Sequence, residues 1–174
     1  MAGKYKLQDV SKLDGRKIFA DANVLIYLFW PTGRFSWENN YAAAFSQLLK
    51  QNNEIFVDFY VLSEVINRMI RTEHKKQQPD VQYKSFRDTN EGKDALIDIY
   101  LIVKESILKQ FNVVGKLYKK NDLEKFLDVD ELDFIDKSTL SICQENNFVL
   151  FTNDKDFKNT NIEVLTGNPH ILTP

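Results

Sequence analysis

Short apolar runs alternate along the chain with longer segments whose apolar residues recur at helical spacing. Several of the runs follow Gly or Asn residues, and each is short enough for a buried strand. The run at 148–151, FVLF, is apolar throughout, which is typical of a central parallel strand. The pattern predicts strands at residues 18–20, 54–59, 112–115, 148–151 and 162–165.

The segments between these runs have the periodicity of amphipathic helices. Val61, Val65 and Met69, for example, fall on one face of a helix. The pattern predicts helices at residues 23–30, 38–51, 60–74, 94–111 and 133–145. Strands that alternate with helices favour an α/β fold, in which a parallel sheet is covered by helices on both faces.

The region 75–131 departs from this alternation. It begins with a polar stretch, contains the long helix predicted at 94–111, and ends in a charged segment with a helical turn near 122–127. A chain of 174 residues that is 43% hydrophobic is typical of one globular domain. We therefore expect a single domain over residues 1–174, with a helical insertion around 75–131.

Four carboxylates lie where strands and helices meet. Asp21 ends the first strand, and Asp154 follows the strand at 148–151. Glu64 lies about one turn into the helix after the second strand, and Asp136 lies in the first turn of the helix before 148–151. A helix that precedes a parallel strand begins at the carboxyl edge of the sheet, so all four acids are expected at the edge where such sheets bind ligands.

Carboxylates gathered in this way repel one another and stay ionised together only beside a positive charge, usually a divalent metal ion. Oxygen ligands suit Mg²⁺ or Mn²⁺, and two such ions can clamp a phosphodiester and activate a water. His74, His170 and Cys143 have no partners at zinc-ligand spacing, and a Ser-His-Asp triad is unsupported. Neither GxxxxGK[ST] nor GxGxxG occurs.

Each acid also has a structural interpretation. Asp21 is suited to cap the helix that follows it, and Glu64 to face solvent. Asp133, three residues before Asp136, is favoured as a helix cap over a metal ligand. Asp136 and Asp154 are placed to balance the positive ends of helix dipoles. The coincidence of these acids on one edge favours the metal site.

The overall charge limits the ways in which the chain can bind nucleic acid. A net charge of -2 and a pI near 5.7 argue against binding through bulk positive charge. Two local clusters are interpreted either as basic patches or as solvated faces: Arg68, Arg71, Lys75 and Lys76, then Lys116, Lys119 and Lys120.

The chain has no sequence feature of secreted or membrane proteins. It has one cysteine, and its N-terminal segment MAGKYKLQDV lacks the apolar core of a signal peptide. No apolar stretch is long enough to span a bilayer. We expect a cytoplasmic protein with no membrane partner.

The order of four segments resembles the acidic motifs of the PIN domain family. They are IFADANVLIYLF (18–29), VLSEVINRMI (61–70), DFIDKSTLSIC (133–143) and FVLFTNDKDF (148–157). The resemblance implies a three-layer α/β/α sandwich around a central, mainly parallel sheet of four to five strands. It also implies Mg²⁺- or Mn²⁺-dependent cleavage of single-stranded or structured RNA, leaving a 5′-phosphate and a 3′-hydroxyl.

The resemblance assigns roles to individual residues. Those matching the catalytic, metal-binding acids are Asp21, Glu64, Asp136 and Asp154. Those expected to support the site from behind the ligands are Asn23, Thr152, Asp133 and Asp156. Many relatives have a small apolar residue in place of Lys137, whose ammonium is expected to bind phosphate, pair with Asp133 or face water.

Candidate RNA contacts come from the loop near the first helix and from two basic residues: Arg34, Phe35, Trp37, Arg68 and Lys137. Phe35 and Trp37 are equally suited to pack at the margin of the core. Many bacterial relatives are toxins of VapC type, so the resemblance implies an antitoxin protein and a homodimer as partners. The length of region 75–131 favours the nuclease function over the toxin role.

Two other functions fit parts of the pattern. A catalytically silent PIN-like module would bind RNA or protein without cleavage, but all four acids are retained. A phosphotransfer receiver domain also gathers acids at a sheet edge. Such a domain needs paired acids after its first strand, where this chain has Asp21-Ala22-Asn23. The receiver interpretation is therefore disfavoured.

Overall fold

The computed structural model describes residues 3–30, 33 and 37–173 and contains one sheet of six parallel strands. The strand order is β1-β6-β5-β2-β3-β4. The strands are β1 (Lys4–Lys6), β2 (Ile18–Ala20), β3 (Ile55–Val57), β4 (Asn112–Val113), β5 (Val149–Phe151) and β6 (Val164–Thr166). The expected α/β fold is confirmed, with a sheet that is wholly parallel and has six strands rather than four to five.

Helices connect the strands and flank the sheet. They are α1 (Ala22–Phe29), α2 (Trp37–Lys50), α3 (Phe59–Gln77), α4 (Tyr83–Phe86), α5 (Asn90–Ile102), α6 (Leu108–Gln110), α7 (Lys120–Phe126), α8 (Phe134–Asn146) and α9 (Pro169–Leu172). Two 3₁₀ segments cover Leu7–Leu13 and Lys155–Asn159, and a π-helical turn at Val103–Ile107 joins α5 to α6. The helix predicted at 94–111 is therefore two α-helices with a π turn between them.

The strand that the sequence pattern did not predict is β1. It pairs with β6 at the edge of the sheet, with Tyr5 opposite Leu165. Its alternating Lys-Tyr-Lys sequence is only partly buried, so it lacks the apolar run that marks a central strand. The ammonium of Lys4 donates to the carbonyls of Phe157, Thr160 and Ile162, each at 3.3 Å, which ties this edge to the 3₁₀ segment.

Strands β2 and β5 are buried along their whole length. Aromatic side chains pack against them in the centre of the core. Phe148 lies between Phe19 and Phe56, with ring centroids 6.2 and 4.7 Å away. The ring of Tyr41 stacks on that of Phe151 at 5.4 Å. This packing fixes the relative positions of β2 and β5, whose carboxyl ends carry the candidate site.

The strand order reverses direction at β2. The chain adds β3 and β4 on one side of β2, then returns to place β5 and β6 on the other side. In open parallel sheets, ligands bind outside the carboxyl ends of the strands at such a switch point. The residues that leave β2 and β5 at this point are Asp21 and Thr152 to Asp154.

None of the helices in the described part of the chain combines the length and apolar character needed to cross a bilayer.

Candidate metal centre

Asp21 leaves the carboxyl end of β2 and begins α1. Its backbone N–H donates to the carbonyl of Phe151 at 3.0 Å, which ties it to the neighbouring strand. Its Oδ1 accepts a hydrogen bond from the N–H of Ala22 at 2.6 Å, so Asp21 caps the helix. The capping role and a place at the strand edge therefore apply to the same side chain.

The second oxygen of Asp21 is held by Asn23 and Thr152. The Asn23 amide donates to Oδ2 at 2.6 Å, and the Thr152 hydroxyl donates to the same atom at 2.5 Å. The side-chain Oδ1 of Asn23 in turn accepts a hydrogen bond from the backbone N–H of Asn153 at 3.0 Å. Since Thr152 is fully buried, these contacts fix the orientation of the Asp21 carboxylate without help from solvent.

Asp154 lies one short turn beyond β5. Its backbone N–H donates to the hydroxyl of Thr152 at 3.0 Å, and its Oδ1 accepts the N–H of Asp156 at 3.1 Å. Thr152 is therefore the link between the two acids, because its hydroxyl bonds to Asp21 and to the backbone of Asp154 at once. Asp156 is exposed and contacts the site through its backbone.

The first turn of α8 brings Asp136 to the same edge. Asp133 caps this helix by accepting the N–H groups of Ile135 and Asp136, each at 2.8 Å. The preference for Asp133 as a cap is confirmed. Asp136 is partly buried behind it, with its carboxylate close enough to the other acids for their charges to matter.

Burial and the nearby carboxylates raise the pKa values of Asp21 and Asp136. Burial raises the pKa of Asp21 to about 6; hydrogen bonds from Thr152 and Ala22 oppose the rise, and the charges of Glu64 and Asp154 add to it. Burial also raises the pKa of Asp136 to about 7, with further contributions from Asp133, Asp154 and Asp21. These carboxylates therefore favour a bound proton or a nearby cation.

Glu64 lies at the margin of this group. It is exposed on α3 and forms an ion pair with Arg68 at 3.2 Å, with both side chains 46% exposed. Its charge reaches Asp21, as the raised pKa of that residue shows. Glu64 is thus near the other acids but already has a cationic partner.

The donors fit a hydrated divalent ion. Within the described residues, no three His, Cys, Asp or Glu side chains lie close enough together to ligate one ion jointly. Magnesium usually keeps several water ligands and is bound through one or two carboxylates. An oriented carboxylate at Asp21, with Asp136 and Asp154 beside it, meets that requirement.

The structure describes only some of the residues predicted to contact RNA. Arg34 and Phe35 lie outside the described residues, as does the side chain of Trp37. Arg68 is exposed next to Glu64. In the second basic cluster, Lys116 donates to Ser141 and Glu145 at 2.9 and 2.8 Å, which favours a structural role for that lysine.

The prediction that Lys137 contacts RNA, pairs with Asp133 or faces water is wrong. Lys137 is buried, and its ammonium donates to the carbonyls of Phe126 and Asp128 and pairs with Asp130 at 3.1 Å. Its charge is satisfied by the end of α7 and by the loop between α7 and α8. The lysine anchors this loop instead of reaching a substrate.

Sequence reasoning missed Asp58, an acid at the carboxyl end of β3. It is almost fully buried and caps α3 by accepting the N–H of Val61 at 2.8 Å, while its Oδ2 has no hydrogen-bond partner among the described residues. The strand predicted at 54–59 included Asp58, whereas the observed strand ends at Val57. An Asp three positions before the amphipathic stripe begins is the capping signal that would have found it.

A second missed feature is the polar network behind β5. The Tyr41 hydroxyl donates to Asn153 Oδ1 at 2.8 Å and accepts the N–H of Gly167 at 2.9 Å. The Asn153 amide donates to Tyr27 at 3.2 Å. Burial raises the pKa of Tyr41 to about 12, so its hydroxyl keeps its proton. No local pattern marks these residues, because they meet only when the sheet forms.

Comparisons with known proteins show the family and the fold of this chain. A family model for the PIN domain matches residues 18–163. A search of curated proteins finds no match. Among solved structures, that of PAE2754 from Pyrobaculum aerophilum is similar, with a TM-score of 0.52 and 15% identity, covering 91% of this chain and 88% of that one. At this identity, the likeness concerns the fold alone.

Proposed function

Because this chain belongs to the PIN domain family, whose members are generally metal-dependent nucleases, we propose that it is a metal-dependent endoribonuclease. The substrate would be single-stranded or structured RNA, cleaved at its phosphodiester bonds. The observation that carries this proposal is the group of acids at the carboxyl edge, in which Asp21 and Asp136 have raised pKa values through burial and mutual repulsion.

In this proposal, Asp21, Asp136 and Asp154 hold Mg²⁺ or Mn²⁺, one or two of them directly and the rest through its water ligands. Glu64 either completes the site or orients the attacking water. When bound, the metal supplies Lewis acidity and neutralises charge on the phosphate. The chain supplies the orientation. Thr152 and Asn23 fix one oxygen of Asp21 before any ligand arrives, which lowers the entropic cost of forming the site.

The alternative role for Glu64 is to orient the attacking water. Its exposed carboxylate lies on α3 rather than on the rigid strand ends, so it is free to accept a hydrogen bond from the water that attacks the phosphate. Arg68 must leave it for this to happen, and the cost is small because exposed pairs at i,i+4 are weak. The nearby Arg68 then remains available for a phosphate oxygen.

The test is cleavage of RNA by the pure protein in Mn²⁺, with the new ends sequenced. The wild type should produce 5′-phosphate and 3′-hydroxyl ends, and Asp21→Asn should lose nearly all cleavage while its circular dichroism is unchanged. Asp98→Asn, which removes the same charge from the exposed face of α5, is the matched control. Equal turnover by Asp21→Asn and the wild type would refute the proposal.

A catalytically silent module is the second candidate. The ion pair between Glu64 and Arg68 favours it, as does the lack of three converging ligands among the described residues. Titration with Mn²⁺ by calorimetry separates the two functions. A nuclease should bind Mn²⁺ with an affinity that falls in Asp136→Asn, whereas a silent module should bind little metal in either protein.

The toxin role belongs to the same proposal at a finer level. A toxin would be held inactive by an antitoxin and would act as a homodimer in the cytoplasm. The neighbouring reading frame provides the test. A small upstream gene that encodes a DNA-binding domain with a disordered tail supports the toxin role, and its absence from the native locus counts against it.

A further inference from the structure

A groove of about 320 Å³ runs along α3 beside the acidic edge. Its wall on the α3 side includes Tyr60, Glu64, Asn67, Arg68 and Arg71. These residues are three or four positions apart and therefore share one face of the helix. Ile135, from the first turn of α8, forms the opposite wall. The groove therefore starts at the candidate site and leads away from it.

The charges in the groove change sign along its length. Tyr60 lies at the end near the edge of the sheet, Glu64 follows one turn later, and Arg68 and Arg71 lie one and two turns beyond Glu64. From Glu64 to Arg71 the helix rises about 10 Å, which is long enough for a nucleotide and its flanking phosphates. The guanidinium of Arg71 lies over the ring of Tyr83, 4.3 Å from its centroid, and this contact holds its charge at the groove wall.

The groove also offers an apolar surface for a flat ring. Tyr60 is 41% exposed, and the neighbouring Phe59 ring meets it edge to face, with centroids 6.0 Å apart and planes at 75°. Ile135 is exposed on the other side. Asn67 adds an exposed amide, which can donate to or accept from the edge of a base.

We propose that this groove binds the unpaired nucleotide next to the scissile phosphate of a single-stranded nucleic acid. The base would stack on Tyr60 and contact Ile135, and the flanking phosphates would meet Arg68 and Arg71. The inference rests on the proposed function, because it takes the acidic edge as the place of cleavage.

Two physical arguments favour this occupant. A base can stack on an aromatic side chain only when it is unpaired and turned out, so the groove discriminates against duplex. The positive end of the groove complements the phosphate backbone, while the acids accept phosphate only with a metal ion present. A strand would therefore enter along the arginines and reach the acids last.

The test measures binding separately from cleavage. The probe is a fluorescein-labelled oligoadenylate, in ribose and deoxyribose forms, followed by fluorescence anisotropy in EDTA and again in Ca²⁺. Tyr60→Ala should weaken binding by about tenfold, and Tyr60→Phe should retain it, since the ring supplies the stacking. Tyr100→Ala, which removes an exposed tyrosine from α5, is the matched control.

The arginines are tested through the salt dependence of binding. Arg71→Gln should lower the slope of log Kd against log salt by about 1, because one phosphate contact is lost. Arg87→Gln, which changes the same charge at an exposed position outside the groove, should leave the slope unchanged. If the variants weaken binding of the ribose and deoxyribose probes equally, the groove recognises bases and phosphates. If they weaken binding of the ribose probe alone, the groove is specific for RNA.

The outcomes distinguish this inference from the proposed function. If Tyr60→Ala and Arg71→Gln bind the probe as the wild type does, or if the wild type binds it in neither EDTA nor Ca²⁺, the groove is not a nucleotide site. This result would leave the proposed cleavage of RNA in Mn²⁺ unaffected. If the variants lose binding but no protein cleaves RNA, the groove binds nucleic acid and the proposed catalysis fails.

Discussion

Asp136 shows how a single residue can favour metal binding while it lowers the stability of the metal-free protein. Its carboxylate is partly buried next to Asp133, Asp154 and Asp21, and its pKa is raised to about 7. The folded protein therefore binds a proton at this residue more tightly than the unfolded chain does. Its contribution to stability is greatest at low pH and falls as the pH rises through about 7.

Removing this charge should stabilise the metal-free protein at high pH. In EDTA, Asp136→Asn is expected to raise the melting temperature at pH 8 by about 2–4 °C, with a smaller effect at pH 5, where the wild-type carboxyl is protonated. Thermal unfolding followed by circular dichroism gives the result. Asp98→Asn should shift the melting temperature little at either pH, and a fall for Asp136→Asn at pH 8 would contradict the argument.

Thr152 is the other residue on which the site depends, because its hydroxyl bonds to Asp21 and to the backbone of Asp154. Thr152→Val keeps the shape and removes both of these hydrogen bonds, together with the one that the hydroxyl accepts from the Asn23 amide at 3.2 Å. Residues that orient metal ligands typically contribute 10–100-fold to metal affinity or activity. We expect a loss of about that size in Mn²⁺ affinity by calorimetry.

Thr152→Ser should restore most of the affinity, since it returns the hydroxyl. If Thr152→Val and Thr152→Ser have the same Mn²⁺ affinity, the effect of the substitution comes from packing and the proposed orienting role is wrong.

At the scale of elements, the region 75–131 contains a close approach between α4 and α5. Thr89 caps α5 by accepting the N–H of Gly92 at 3.1 Å, and the chain folds back so tightly that a Cβ at Gly92 would lie 1.9 Å from the carbonyl oxygen of Phe86. That oxygen belongs to the backbone and cannot swing away. Phe86 is itself fully buried, so the turn holds α4 and the start of α5 against the core.

Gly92→Ala should therefore destabilise the fold by about 1–3 kcal/mol, the usual cost of overpacking. Urea unfolding measures the loss as a lower midpoint with an unchanged slope. Gly115→Ala is the matched control, since a Cβ there meets no atom within 4 Å. A midpoint for Gly92→Ala equal to that of the control would show that the turn relaxes freely.

The strands that the sequence marks most clearly are those that are buried along their whole length. Strands β2 and β5 read as continuous apolar runs because both faces of each strand are covered, and the position of Asp21 and Asp154 at the carboxyl edge follows from that. Strand β1 has no such signal, and Lys137 looks like any helical lysine. Its partners lie in a loop that only the tertiary fold brings near, as is also true of Tyr41 and Asn153.

At the scale of the whole molecule, the acids couple stability to the availability of metal. A ligand that binds only the folded state stabilises it by RT ln(1 + [L]/Kd), so tighter binding gives a larger stabilisation. Near pH 5, Asp21 and Asp136 are largely protonated, because their pKa values are about 6 and 7. Metal must then displace protons, and its affinity falls.

We therefore expect Mn²⁺ to raise the melting temperature more at pH 8 than at pH 5. Differential scanning fluorimetry at a fixed Mn²⁺ concentration measures both shifts. The double variant Asp21→Asn with Asp136→Asn should lose the shift at pH 8. Equal shifts at the two pH values in the wild type would mean that Mn²⁺ binds elsewhere.

The edge formed by β1 and β6 has a practical consequence for anyone who trims the chain to the matched family region. Residues 18–163 exclude both strands, so a fragment with these limits would leave β5 without a neighbour on one side. The N–H and C=O groups of this interior strand, together with its apolar side chains, would then face solvent and invite association with other copies. Such a fragment is a poor choice for crystallisation or assay, and its precipitation would say nothing about the nuclease activity proposed for the 174-residue chain.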